Sequence, residues 1–413
     1  MKKIIFLISL LFLAGCSINK QAENLEVFNF IDNIEQEVLI KSWTIYGRYF
    51  NVQGNITKES DNLVLVLKNN DLEVEYPLII KKNDDKTEFK TNDLINEGIN
   101  LDNIKEGNYL VLLKDEDAYY NLKNDTTYDE LEYWTVTKNN ENNKVSLQFI
   151  SIMEKKMLLL NVTSEKLPDD IYDIVIDPGH GGVDVGAISG KYHESEINLD
   201  YGLSLKQELE KIGLKVKLTR ETDQSIKNYG EDGRVSIPYK TKAKLLLSLH
   251  LNSATKNVGS GGIEVYIPYN SDITFAKNLA KNIVDNTSSN YSKNVSNKVE
   301  NGVYLRTLNK NDLETIKSDA LKDGYIPYEK ANTNSTYYYI IRETGGTITE
   351  AYIDSRNPKK EGNPYYNSSV GCESYLVELG YMNSSSNLNI ILSEKEKYVQ
   401  AIVKSIKEYL EIE

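Results

Sequence analysis

Between residues 38 and 163 short apolar or alternating runs recur between polar turns: Asn62 to Lys68, Leu72 to Ile80, Asn108 to Lys114, Glu130 to Thr137, Lys144 to Ser151 and Lys156 to Thr163. Runs of this length and spacing predict short strands in a small all-β, sandwich-like domain. Residues 164–171 are polar, contain Pro168 and read as a linker. Beyond them the period changes. Ile174 to Asp177 reads as a buried strand, and Ile197, Tyr201, Leu205, Leu209 and Ile212 then fall at helical spacing before Gly213, a C-terminal cap. Leu214 to Thr219, Lys244 to His250 and Gly262 to Ile267 read as further strands, and Phe275, Leu279 and Ile283 mark another helix. This alternation predicts an α/β domain over 172–413, a twisted sheet with flanking helices. Ser393 and Glu396 stand at capping-box spacing ahead of a last helix whose apolar stripe includes Tyr398, Ile402 and Ile406. From about 286 to 336 the composition turns polar for longer than an ordinary connection, which reads as a lid or groove insertion or as a surface loop.

The first residues follow a different logic. Lys2 and Lys3 precede an apolar run from Ile4 to Ala14. The run is too short to cross a bilayer of about 30 Å as a helix. Residues 1–15 therefore read as a secretory signal. The run closes on Leu13-Ala14-Gly15-Cys16, which resembles a bacterial lipobox. The expectation is a lipid on Cys16, a polar tether over 16–37, and an extracytoplasmic body anchored to the cell membrane.

Composition narrows the function classes. With 413 residues and 40% apolar content the chain can bury substantial cores in two or three domains. A net charge of -13 argues against a general grip on nucleic acid. With Cys16 lipidated, Cys372 has no partner for an intrachain disulfide, and its apolar surroundings in the sequence read as a buried thiol rather than a nucleophile.

The candidate chemistry lies in the second body. All three histidines, His180, His193 and His250, fall there. His180 and His250 follow predicted strands, and in open α/β sheets binding groups converge at the carboxyl ends of strands. Glycines at 179, 181 and 182 allow a tight turn that aims His180 at the crevice. Two imidazoles need a third protein ligand to make a catalytic zinc site with one open position. Glu194 and His193 are rivals for that place, since adjacent residues of an extended segment point to opposite faces. Glu378 stands inside the apolar run Tyr375-Leu376-Val377-Glu378-Leu379-Gly380-Tyr381. A carboxylate there is costly to bury unless it is protonated, close to a cation or paired, with Arg220, Arg234 and Arg342 as partners to consider. Beside a metal-activated water it could act as general acid and base.

Taken in order, Asp177-Pro178-Gly179-His180-Gly181-Gly182, Asp184, Gly186-Ala187, Glu194 with Asn198-Leu199, Leu218-Thr219-Arg220, Ser248-Leu249-His250-Leu251-Asn252 and Val377-Glu378-Leu379-Gly380-Tyr381 resemble the zinc-dependent N-acetylmuramoyl-L-alanine amidases, cell-wall hydrolases. The resemblance covers roughly Tyr172 to the C-terminus. It implies Zn2+ held by His180, Glu194 and His250, catalysis by Glu378, and peptidoglycan as partner, cut between N-acetylmuramic acid and L-alanine. It favours Glu194 over His193, and Asp177 and Asn252 become candidates for fixing the ligand loops. Two features depart from the family: the long stretch ahead of Glu378, with Tyr352, Tyr365 and Tyr366, and the sequence Tyr381-Met382-Asn383-Ser384 after Gly380. The rival readings are a zinc peptidase acting within the stem peptide and a non-enzymatic wall-binding or scaffolding lipoprotein.

Overall fold

The computed structural model describes residues 28–412 apart from 32–33, 35, 84, 92–97, 125–129, 139–140, 153, 229–232, 255–260, 270, 323–331 and 345–369. Cys16 and Tyr352, Tyr365 and Tyr366 lie outside the described residues. Among the described residues no helix is long and apolar enough to cross a membrane.

In the first body, buried side chains alternate with more accessible ones along Tyr49–Ile56 and Lys86–Lys90. One face of each strand therefore needs a common cover. Trp43, Phe50, Leu65, Val111, Leu122, Leu147 and Leu160 meet in a single core. The strands around it belong to one continuous sheet of 13 strands. Pairing is mostly antiparallel, as between Asn143–Ile152 and Lys155–Ser164. Gln36–Tyr46 is the exception, lying parallel to Ala118–Asn124 and to Val370–Gly371. The opposite face, with Leu110, Leu112, Met157 and Leu159, is covered by Phe28, Ile31 and Ile34. The last part of the expected tether is thus packed against the sheet.

The second body is built on a sheet of seven strands. We number them β1 (Ile174–Pro178), β2 (Val216–Leu218), β3 (Leu245–Asn252), β4 (Glu264–Tyr266), β5 (Lys298–Glu300), β6 (Val303–Tyr304) and β7 (Glu373–Tyr381). Their order is β2-β1-β3-β7-β4-β6-β5. β2, β1, β3 and β7 run parallel, and β4 turns antiparallel to β7. The helices are α1 (Glu194–Lys211), α2 (Ser236–Lys240), α3 (Thr274–Asn286), α4 (Lys310–Lys322), α5 (Tyr339–Glu343), α6 (Ser385–Ser393) and α7 (Lys395–Leu410). Alternate residues of the central strands serve two cores. Leu245, Leu247, Leu249, Val377 and Leu379 face α1, α3 and α7, while Val175, Leu246 and Leu376 face Ile340 and Ile341. Burial on both faces is why β3 is rich in leucine at successive positions from Leu245 to Leu247.

Three details differ from the sequence reading. Ser393 ends α6 instead of capping the final helix, so the capping box does not form. In the polar stretch after residue 286, Val303 and Tyr304 are fully buried and extend the sheet edge. Leu167 and Ile171, in the expected linker, pack with Trp134 in a buried seam between the bodies.

Candidate metal centre

Because β1, β3 and β7 run parallel, their carboxyl ends deliver three polar groups to one place. Asp177 lies at the end of β1, His250 near the end of β3, and Glu378 on β7 as the direct cross-strand partner of His250. The turn after β1 must pass close to His250: a Cβ on Gly179 would sit 2.3 Å from its ring. Only glycine fits there. The next residue, His180, takes a left-handed backbone with φ of 62°. For a residue with a side chain this costs about 1 kcal/mol or more, so the surroundings must enforce it.

Two buried guanidinium groups do so. Arg234 donates to Asp177 Oδ1 at 2.6 Å, to Pro178 O at 2.8 Å and to His180 O. Arg220 donates to Pro178 O at 2.9 Å and Gly179 O at 3.0 Å. Asp177 also accepts from Thr219 at 2.6 Å and Ser248 at 2.7 Å. It is therefore a loop-fixing residue, deep below the surface, whose carboxyl stays ionised despite burial because Arg234 and these hydroxyls hold it below the usual range.

Glu194 opens α1 and is buried. Its oxygens accept from the backbone N–H of Ala187 and of Leu251, both at 2.9 Å. His180 Nε2 and His250 Nδ1 both approach Glu194 Oε1, at 3.2 and 3.1 Å. One ligand atom from each of these three residues lies within 4.8 Å of the others. On the far side of its ring, His180 Nδ1 meets Asp184 Oδ2 at 2.8 Å, which fixes the ring and leaves Nε2 facing inward. Burial lowers the proton affinity of His180, but Glu194 and Asp184 outweigh it and raise its pKa to about 8. Burial would raise Glu194, but the two imidazoles hold it far below the usual carboxylate range.

His193 takes no part: it precedes α1 and faces Glu196 at 3.4 Å. Asn252 donates to Glu264 Oε2 at 3.0 Å, one position removed from the cluster. None of the arginines considered as partners for Glu378 pairs with it. Arg342 donates to the carbonyls of Thr336 and Tyr337, as Arg220 and Arg234 do to the loop. Glu378 is 7% exposed and its Oε2 lacks a hydrogen-bond partner. Burial, reinforced by the charges of Glu194 and Glu264, pushes its carboxyl well above the usual range. Cys372 is buried, and burial drives its thiol pKa up.

The sequence reading missed Glu264. It is fully buried on β4, across from Glu378, and accepts from Tyr266 at 2.7 Å and from Ser292 and Tyr381 at 2.6 Å each, besides Asn252. The signal was available: a glutamate inside Gly262 to Ile267, the same anomaly that drew attention to Glu378. A cavity of about 600 Å³ opens over the cluster, lined by His180, Asp184, His250, Tyr338 and Leu376 among others.

Two imidazole nitrogens and a carboxylate oxygen, gathered on an ordered frame and facing a cavity, are a donor set that fits a divalent ion such as zinc with a position left open. The buried, unpartnered Oε2 of Glu378 beside them fits a group that exchanges protons with what binds there. The class defined by fold and site is thus a mixed α/β protein with a candidate metal centre at its strand ends.

Residues 174–322 match the family described as N-acetylmuramoyl-L-alanine amidase. This segment holds His180, Glu194 and His250 and ends before Glu378. A germination-specific N-acetylmuramoyl-L-alanine amidase of Bacillus subtilis is 33% identical over 104 residues, 22% of this chain and 44% of that protein. A probable cell wall amidase, LytH, of Staphylococcus aureus is 35% identical over 121 residues, 28% of this chain and 38% of that protein. The chain thus spans less than half the length of these curated relatives. Among solved structures, the amidase AmiC2 of Nostoc punctiforme aligns over 59% of this chain and 98% of its own, at 24% identity and a TM-score of 0.39. The catalytic domain of the amidase CwlV from Bacillus (Paenibacillus) polymyxa aligns over 59% and 100%, at 22% identity and a TM-score of 0.39.

Proposed function

We propose that this chain is a zinc-dependent N-acetylmuramoyl-L-alanine amidase that hydrolyses the amide between N-acetylmuramic acid and L-alanine in peptidoglycan, outside the cytoplasm. The observation that carries the reading is the convergence of His180, Glu194 and His250 within 4.8 Å, with Glu378 as cross-strand neighbour of His250. The family match over residues 174–322 and the names of the curated relatives support the substrate.

His180, Glu194 and His250 would hold the zinc, which would supply Lewis acidity toward the scissile carbonyl and toward a water near neutral pH. The chain's own residues do the rest. Asp184 and Glu194 orient the His180 ring, and Glu194 is fixed in turn by the Ala187 and Leu251 N–H groups. Glu378 takes a proton from the attacking water. As the carbon–nitrogen bond breaks, it returns that proton to the departing L-alanine amine, leaving a lactyl carboxylate on the sugar. A carboxyl with raised proton affinity suits both halves of this cycle. The cavity over the cluster, with Tyr338 in its lining, would receive the substrate.

The test is digestion of purified peptidoglycan by the soluble body, with and without a chelator, followed by identification of the new termini. Chelator-sensitive release of stem peptides beginning with L-alanine, and of free muramic lactyl carboxylate, is expected. Cleavage inside the stem peptide would make the protein a peptidase, and wall binding with no new termini would make it a scaffold.

A further inference from the structure

Arg220 is 1% exposed, yet among the described residues no carboxylate lies within ion-pair distance of it. A buried charge without a counter-ion is costly unless its donors are fully used. Those of Arg220 go to backbone carbonyls: Pro178 at 2.9 Å, Gly179 at 3.0 Å, Ser195 at 2.6 Å and Thr222 at 3.2 Å. Pro178 and Gly179 immediately precede His180, and Ser195 immediately follows Glu194. One rigid fork therefore grips the two segments that carry two of the three clustered donors. The loop also makes room for it. A Cβ on Gly181, whose φ is 129°, would lie 2.9 Å from Arg220 Nε.

We propose that Arg220 is a positioning residue that sets the spacing of His180 and Glu194 and so tunes the affinity of the centre for its ion. The inference rests on the metal-dependent reading above. A guanidinium binds carbonyls in two directions at fixed angles, whereas an ammonium is a flexible point charge. Charge alone is therefore not enough at this position.

The experiment compares Arg220→Lys and Arg220→Met with the wild type and with His180→Ala. Zinc affinity is measured by competition with a chromophoric chelator, and thermal unfolding is followed with and without zinc. Both Arg220 variants are expected to bind zinc about 10–100-fold more weakly, the range seen when groups that orient metal ligands are removed. Their zinc-dependent rise in unfolding temperature shrinks in step, and Arg220→Lys still unfolds cooperatively. Wild-type zinc affinity in Arg220→Lys overturns the proposal, and so does lowered stability without a change in affinity, which marks a purely structural arginine. Failure of the wild type to bind zinc, or wild-type affinity in His180→Ala, sinks the metal-centre reading instead.

Discussion

His250 and Glu378 face each other across the parallel strands β3 and β7, while on its other side Glu378 faces Glu264 on β4. The register of three strands thus puts one imidazole and two carboxyl groups in a row. Glu264 is saturated by four neutral donors, whereas Oε2 of Glu378 has no partner. The unsatisfied member of the row is the one available for proton transfer.

That difference predicts how Glu378 variants behave. Glu378→Gln and Glu378→Ala should retain zinc, because Glu378 is not among the clustered ligand atoms. Turnover of peptidoglycan should fall by about 10²–10⁴-fold, the usual contribution of a positioned acid and base. Metal analysis of the purified variants together with muropeptide assays checks both halves. Full activity in either variant would remove Glu378 from the mechanism.

Metal binding should depend on pH through His180. In the metal-free protein Glu194 and Asp184 hold its proton up to about pH 8. A ligand must be neutral, so zinc displaces that proton below pH 8. Apparent zinc affinity should rise with pH, by up to about tenfold per unit from this group, and level off above 8. The folding linkage runs the other way. With the pKa raised from 6.5, the stability that the imidazolium adds to the metal-free protein is present below pH 6.5 and is lost as pH rises through 8. Competition titrations across pH 6–9 test the first statement, and denaturant unfolding in chelator tests the second. An affinity that does not change with pH would contradict the reading.

Much of this site was legible in the sequence because its elements obey simple periods. The ends of β1 and β3 could be placed from apolar runs, and with them His180 and His250. Glu378 stood out as a charge in an apolar strand. What could not be read was reciprocity between distant segments. Arg220 and Arg234 looked like possible partners for Glu378, yet their donors go to the carbonyls of the turn after Asp177, a choice made by backbone geometry. Ser393 had the right spacing for a cap, but the helix that starts at the Ser384 cap runs through Ser393, so Glu394 instead precedes the last helix. Val303 and Tyr304 were hidden in a polar stretch because a two-residue strand carries almost no periodic signal.

The anchor predicted at Cys16 can be tested without reference to catalysis. Replacing Cys16 by Ala removes the thiol on which the lipid is expected and leaves the described body untouched. The variant should move from the membrane to the soluble fraction on cell fractionation, while the purified soluble body keeps its zinc. Continued membrane association would mean that another segment holds the protein there.

The last prediction concerns the seam between the two bodies and its reach toward Glu378. Glu373 opens β7 and is 2% exposed. It lies against the turn of the first body, where a Cβ on Gly47 would come 2.4 Å from its Oε1. Tyr375 donates to Oε2 at 3.3 Å, while Oε1 has no hydrogen-bond partner. Burial is the largest influence on its carboxyl, offset in part by Tyr409, Arg48 and Tyr375, and its pKa rises from 4.5 to about 7. A carboxyl with a raised folded-state pKa favours folding while it is protonated. Its contribution is complete below about pH 4.5 and is lost as pH rises through 7. The interval corresponds to a loss on the order of 3 kcal/mol. Glu373→Gln keeps the shape and cannot ionise. The unfolding free energy of this variant relative to wild type should therefore climb between pH 4.5 and 7 and stay constant above, measured by denaturant titration at each pH. A difference that does not vary with pH would show that Glu373 ionises alike in the folded and unfolded chains, and the seam would then impose no charge penalty on the strand that carries Glu378.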